Sequence, residues 1–211
     1  SSGPLKLSPE LMTTIERVSL GWLKGAVLVN GQEYPVEDHA LRLQGLNITD
    51  MTKIYGLAKY PDLEVLNVSN NHLTGIKGLR ASRNLKKLVL SNNEIKKIEN
   101  LDSLQQLEHL ELDGNQIEVI SGLESLENLN ALRINRNNIK PELIEKLGGL
   151  DEQGFAVKPQ AFVKHSKERL VRYDQKIKEA IEFLKKNSYE SAINAYREAL
   201  EIFPEDHHGW N

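Results

Sequence analysis

Asn71, Asn93, Asn115 and Asn137 follow one another at a constant spacing of 22 residues, each inside the same local phrase. The phrase is LxxLxLxxNxL or a close variant: LEVLNVSNNHL at 63–73, LKKLVLSNNEI at 85–95, LEHLELDGNQI at 107–117 and LNALRINRNNI at 129–139. A period of this length constrains the chain more than its composition does. Each unit is too short to bury its own apolar side, so the units must stack into a solenoid with one continuous core. A degenerate copy, ALRLQGLNI at 40–48, comes first. It is spaced 25 residues from its successor (Leu41 to Leu66), with the extra length falling between Ile48 and Ile54, and Leu46 holds the asparagine position.

The frame carries its own physics. In each LxLxx segment the leucines point inward and the residues between them point outward from a short strand. Successive strands then pair in parallel on the concave side, and the asparagine follows where the chain turns away. Its amide both donates and accepts, so a stacked column of asparagines can satisfy backbone groups that the turn leaves buried. Asn71, Asn93, Asn115 and Asn137 are therefore expected to be structural. The outward positions form three columns: Val65, Lys87, His109, Ala131; then Arg42, Asn67, Val89, Glu111, Arg133; then Gln44, Ser69, Ser91, Asp113, Asn135, with Arg136 extending the last row.

Each end of the array has a distinct element. Ser8-Pro9-Glu10 is a helix start, with a hydroxyl cap, proline in the first turn and then an acid, and a helix over 8–20 is expected. AVLV (26–29), Asn30-Gly31 and QEYPV (32–36) predict a hairpin, with Pro35 confining the second strand to an edge. At the other end Pro141 opens a short helix whose Leu143, Ile144 and Leu147 face the last repeat, and Gly148-Gly149 stop it. After a hinge-like GFAVKPQ (154–160), apolar residues recur every seven positions at Val163, Leu170, Ile177 and Leu184. They predict one helix from about Pro159 to Lys186.

These motifs carry two resemblances. The phrase and its period resemble leucine-rich repeats, and the ending IEKLGGLD (144–151) resembles the C-terminal cap of a small regulatory subclass of intracellular leucine-rich repeat proteins. That subclass includes a regulator of type-1 protein phosphatase and a spliceosomal scaffold. Residues 180–206 resemble a tetratricopeptide repeat: Ala180 takes the small-residue position, Tyr189, Ala192, Tyr196 and Ala199 match the second helix, and Pro204 closes it. In that pattern alanines let two antiparallel helices approach and tyrosines fill the gap. Trp210 falls where a following repeat would place its first aromatic, so a longer array is expected.

The fold expected is thus an α/β solenoid with a parallel concave sheet plus a C-terminal all-α helical hairpin. It divides into an expression scar (Ser1-Ser2-Gly3-Pro4) and cap over 1–39, a leucine-rich repeat domain over 40–154, and a tetratricopeptide-like region over 155–211. The net charge of −3 predicts no global attraction to nucleic acid or anionic membrane. The absence of cysteine favours an intracellular setting, cytoplasmic or nuclear. No GxSxG, Gly-rich phosphate loop or HExxH is present, and His207-His208 read as a solvated turn. Neither enzyme activity, cofactor nor metal is expected.

A solenoid of this kind implies a protein-interaction scaffold or adaptor that binds protein partners. Its candidate contact residues are Lys87, Val89, His109, Glu111, Arg133 and Arg136. The phosphatase-regulator resemblance implies, as an alternative, a regulatory or targeting subunit of an enzyme. An RNA-associated role is a weaker alternative, because residues 158–186 hold nine Lys/Arg against four Asp/Glu.

Overall fold

The computed structural model of the protein describes residues 8–11 and 25–203. Residues 9–11 are helical, and the Leu11 N–H donates to Ser8 Oγ at 3.1 Å, the cap the sequence predicts. The remainder of that expected helix lies outside the described residues, as do Ser1-Ser2-Gly3-Pro4, Pro204, His207-His208 and Trp210.

The next element is the hairpin of β1 (Ala26–Val29) and β2 (Gln32–Glu37). Asn30 and Gly31 both take left-handed backbone, at φ 50° and 78°, as a two-residue turn of this twist demands. Pro35, however, does not mark an edge. β2 pairs with β1 on one side and with β3 (Ala40–Arg42) on the other, through Val36–Leu41 and Glu37–Ala40. The proline is tolerated because Val36, not Pro35, donates on the β1 side (its N–H reaches the Gly25 carbonyl at 2.8 Å), and the pairing with β3 stops at Val36, before Pro35 would have to donate. The Ala26 N–H donates to Tyr60 Oη at 2.7 Å, and its carbonyl accepts from the same hydroxyl at 2.8 Å.

From β3 onward the sheet is parallel, through β4 (Val65–Asn67), β5 (Lys87–Val89), β6 (His109–Glu111) and β7 (Ala131–Arg133). Register follows the repeat, with Leu41, Leu66, Leu88, Leu110 and Leu132 in one row, each 0% exposed. The extra length of the first repeat is taken up by a 3-10 turn at Met51–Lys53, where Asp50 accepts from the Thr52 N–H at 2.9 Å. The Thr52 hydroxyl, which also donates to Asp50, and then that backbone bond hold the Asp50 carboxyl below its ordinary range.

The asparagine column runs the length of the array. Asn93 Nδ2 donates to the carbonyls of Val68 and Leu90 at 3.0 and 3.1 Å, and Asn93 Oδ1 accepts from the Leu73 N–H at 3.0 Å. Asn71, Asn115 and Asn137 repeat the pattern, each joining its own turn to the preceding repeat.

α1 (Pro141–Lys146) caps the solenoid, with Leu147 buried and Leu143 and Ile144 packed on the core. The segment after it is pinned, where the sequence suggests a hinge. Phe155 bridges antiparallel to Arg133, the Ala156 N–H donates to the Leu132 carbonyl at 2.7 Å, and Asp151 Oδ1 accepts from the Gln153 and Phe155 N–H groups at 2.9 Å. The edge of β7 would otherwise expose unpaired backbone groups, and this loop covers them.

α2 (Pro159–Lys185) is a single helix, as its periodicity predicts. Its first turn is part of the solenoid core: Phe162 and Val163 are buried there, and Gln160 Nε2 donates to the Leu126 and Leu129 carbonyls. α3 (Tyr189–Ile202) packs against α2 through Ala180, Ala192, Ala195 and Ala199, all buried. Tyr189 departs from expectation. It is 61% exposed instead of filling the interhelical gap, and its hydroxyl donates to Asn187. The alanine contact brings the two helices together without it. Just past the end of α3, the Phe203 ring packs on α2, edge-on to Tyr173 at 5.0 Å with the Arg169 guanidinium 5.4 Å from its centre.

His165, on α2, has a buried Nε2 with no partner. Burial holds its pKa below the ordinary 6.5, and the positive charges of Arg169, Arg172 and Lys146 add to the effect against an opposing Glu168. A histidine depressed in the folded state binds fewer protons there than when unfolded. Stability is therefore full above pH 6.5 and falls as pH drops through 6.5 towards the folded value. Urea midpoints taken on either side of this window should shift further for the wild type than for His165→Gln. Equal shifts would assign the acid sensitivity to other groups.

Candidate functional site

The outer face of the parallel sheet is the surface on which the repeats place side chains not consumed by the core. Its columns run in register: Val65, Lys87, His109 and Ala131 in one, then Arg42, Asn67, Val89, Glu111 and Arg133 in the next. Six residues of this face are the sequence candidates, and the structure separates them.

Four are brought together over β6 and β7. His109 Nε2 lies 2.7 Å from Glu111 Oε1, and Arg133 Nη1 lies 3.8 Å from the other oxygen of that carboxylate. Arg136 Nη2 donates to Asp113 Oδ2 at 2.9 Å and to Asn92 Oδ1 at 3.0 Å. Asp113, from the third column, is the buried centre at 1% exposure, and it also accepts from the Ser91 hydroxyl. The other two candidates differ. Lys87 is half-buried and sits beside His109 in the register of β5 and β6, with no ion-pair partner among the described residues. Val89 is only 7% exposed and offers a partner almost no area.

The backbone position of Arg136 is informative. It has φ 54°, in the column where Asn70, Asn92 and Gly114 also adopt left-handed backbone. Asparagine and glycine take that conformation readily, and arginine does so at a cost of about 1 kcal/mol or more. Gly114, lying between them, leaves the guanidinium room to cross a whole repeat to Asn92: a Cβ there would stand 3.2 Å from Arg136 Nη2 and 2.3 Å from Asn92 Oδ1. The local strain is thus offset by two hydrogen bonds, one of them to a buried carboxylate.

Phe155 is the residue that sequence reasoning missed. The strand columns contain no aromatic, but the closing loop carries Phe155 to the end of the face. Its ring stands edge-on to His109 at a centroid distance of 5.6 Å, and the Arg133 guanidinium lies 5.6 Å from its centre. The same loop supplies the Gln153 carbonyl, which accepts from Arg133 Nε at 2.8 Å. The only signal was indirect: a lone aromatic immediately after the glycine that ends the cap. Among the described residues no group of histidine or acid side chains is arranged to hold a metal ion, and no helix is long and apolar enough to cross a membrane.

The leucine rich repeat family model matches residues 61–117, the central turns of the solenoid. No curated protein sequence matches the chain. Among solved structures it is similar to internalin C2 of Listeria monocytogenes, at 36% identity over 44% of this chain and 40% of that one, with a TM-score of 0.41. It is also similar to internalin F of the same organism, at 24% identity over 67% of this chain and 41% of that one, with a TM-score of 0.45. The Drosophila melanogaster SNF/U2A′ complex matches at 23% identity over 78% of this chain and 91% of that one, with a TM-score of 0.48. The chain spans about two fifths of the length of the two internalins.

Proposed function

We propose that the chain is a non-catalytic protein-interaction module whose parallel sheet holds a protein partner on its outer face. The observation that carries this reading is the convergence of His109, Glu111, Arg133, Arg136 and Phe155 at one end of that face. Arginine and aromatic side chains dominate the energy of protein interfaces, and here they are already fixed in place by hydrogen bonds and ring contacts. The leucine rows and the asparagine column account for the fold without this cluster.

The α2–α3 hairpin is read as the opening pair of a tetratricopeptide-type array. The small-residue crossing at Ala180, Ala192, Ala195 and Ala199 supports that, and Ile181, Leu184 and Ile193 give it a second, apolar surface. The chain would then act as an adaptor that presents two surfaces at once.

The test is affinity capture with purified protein from an extract of the source organism. Partners retained by the wild type should be lost with a His109→Ala, Arg133→Ala, Phe155→Ala variant that keeps the wild-type circular dichroism spectrum. They should remain with Lys178→Ala, a change on exposed α2 surface. An unchanged partner set for the triple variant would refute the assignment of this face.

A further inference from the structure

We propose that the outer face of the sheet takes an acidic protein segment in extended conformation; this rests on the reading of that face as the partner-binding surface. Counted by sequence alone, the face is mixed in charge. Counted by depth, it is sorted. The Asp113 side chain is 2% exposed and that of Glu111 16%, whereas those of His109, Arg133 and Arg136 are 26%, 34% and 59% exposed. The acids lie beneath the cations, so an approaching molecule meets guanidinium and imidazole first.

Arg42 on β3 is exposed, and Lys87 on β5 is half-buried; neither has an ion-pair partner among the described residues. Together with Arg133 on β7 they set a cation on every second strand. The sheet therefore presents positive charge outward along its length while Glu111 and Asp113 neutralise only its interior.

The buried acids also explain how the arginines are held. Arg133 commits Nε to the Gln153 carbonyl and one terminal nitrogen to Glu111, while Arg136 commits Nη2 to Asp113 and Asn92. A guanidinium has five N–H groups, so each keeps donors for a further oxyanion. Because their rotamers are already fixed, less entropy is lost when a carboxylate docks.

Spacing narrows the ligand. Strands lie about 4.8 Å apart and Lys87 is offset by two residues along its strand from the row of Arg42 and Arg133, so successive cations zigzag at about 12 Å, a distance an extended chain covers in roughly three to four residues. A segment with an acid at every third position sets one carboxylate at each of Arg42, Lys87 and Arg133. Nucleic acid suits the face less well. The ring of Phe155 is already engaged by Arg133 and His109, which leaves it poorly placed as a stacking platform for a base.

The test uses a fluorescein-labelled decapeptide with glutamate at every third position and glycine or serine between, followed by fluorescence anisotropy on the whole chain. Binding is expected at about 50 mM salt, weakening about tenfold or more by about 300 mM, because exposed charge pairs are screened over that range. The lysine counterpart should not bind. Arg42→Glu with Lys87→Glu should weaken the acidic peptide about tenfold with little change in melting temperature, since neither cation is tied into the fold. No binding at low salt, or equal binding by that double variant, would overturn the proposal. Tighter binding of a single-stranded oligoribonucleotide than of the acidic peptide would also overturn it. If the extract partners are still lost with the triple variant in those cases, only the acidic-segment inference has failed; if neither assay responds, the face itself is misassigned.

Discussion

Asn93→Ala is expected to destabilise the protein by about 3–5 kcal/mol, more than any single change on the sheet's outer face. The side chain is 7% exposed and satisfies three backbone groups at once: the Leu73 N–H and the carbonyls of Val68 and Leu90. These groups lie in consecutive repeats, so alanine leaves unsatisfied polar atoms at a repeat-to-repeat interface, each costing about 1–3 kcal/mol when water cannot reach it. Asn137 provides the internal control. It makes the corresponding bonds but is only partly buried at the end of the array, so solvent can replace part of what alanine removes. Asn137→Ala should cost about 1–2 kcal/mol. Urea unfolding monitored by circular dichroism distinguishes the two, and equal losses would mean that burial does not set the energy of the column.

Gly122→Ala is expected to cost about 2–5 kcal/mol, from a left-handed backbone penalty of about 1–2 kcal/mol and an overpacking penalty of similar size. Gly122 has φ 76°, and a Cβ there would stand 2.0 Å from the Ile98 carbonyl oxygen and 2.8 Å from its carbon. Those are backbone atoms of the preceding repeat and cannot rotate away. Gly114→Ala has a comparable first clash at 2.3 Å, but against Asn92 Oδ1, the end of a side chain. It should cost clearly less, because Asn92 can swing aside with the loss of its bond from Arg136. Thermal melts of the two variants test the ordering, and a larger loss for Gly114→Ala would refute it. Asn100 occupies the same repeat position as Gly122 and also adopts positive φ, with its side chain donating to the Ile76 carbonyl at 2.7 Å. The two turns look interchangeable in the sequence, yet only the three-dimensional stacking reveals how tightly Gly122 is packed.

The repeat frame was legible because its signals are local and periodic. The leucine spacing assigns inward positions, the asparagine spacing assigns the turn, and the 25-residue first interval locates the extra length that the structure folds into a 3-10 turn. Long-range readings were harder. Pro35 marks an edge by its own chemistry, but β2 still gains a second neighbour because its pairing with β3 needs only Val36 and Glu37 and stops short of the proline. The glycine-flanked segment after the cap looks like a hinge until Asp151 and the free edge of β7 are seen to pin it. Tyr189 matches a family pattern by position, yet helix geometry turns it to solvent.

For the candidate site, the sequence named the columns and five of the charged or ionisable side chains near them. It did not reveal their depth. Which acid lies beneath which arginine depends on side chains from β5, β6, β7 and the closing loop meeting in space, and Phe155 joins them from a segment outside every column.

The sequence by itself determined the solenoid, because a fixed period sets which side chains must be buried and which turns must be satisfied, whatever the rest of the chain does. Only the tertiary structure decided what the sheet presents to a partner. Charge at a surface is governed by burial order, and burial order is a property of the stacked repeats rather than of any one of them.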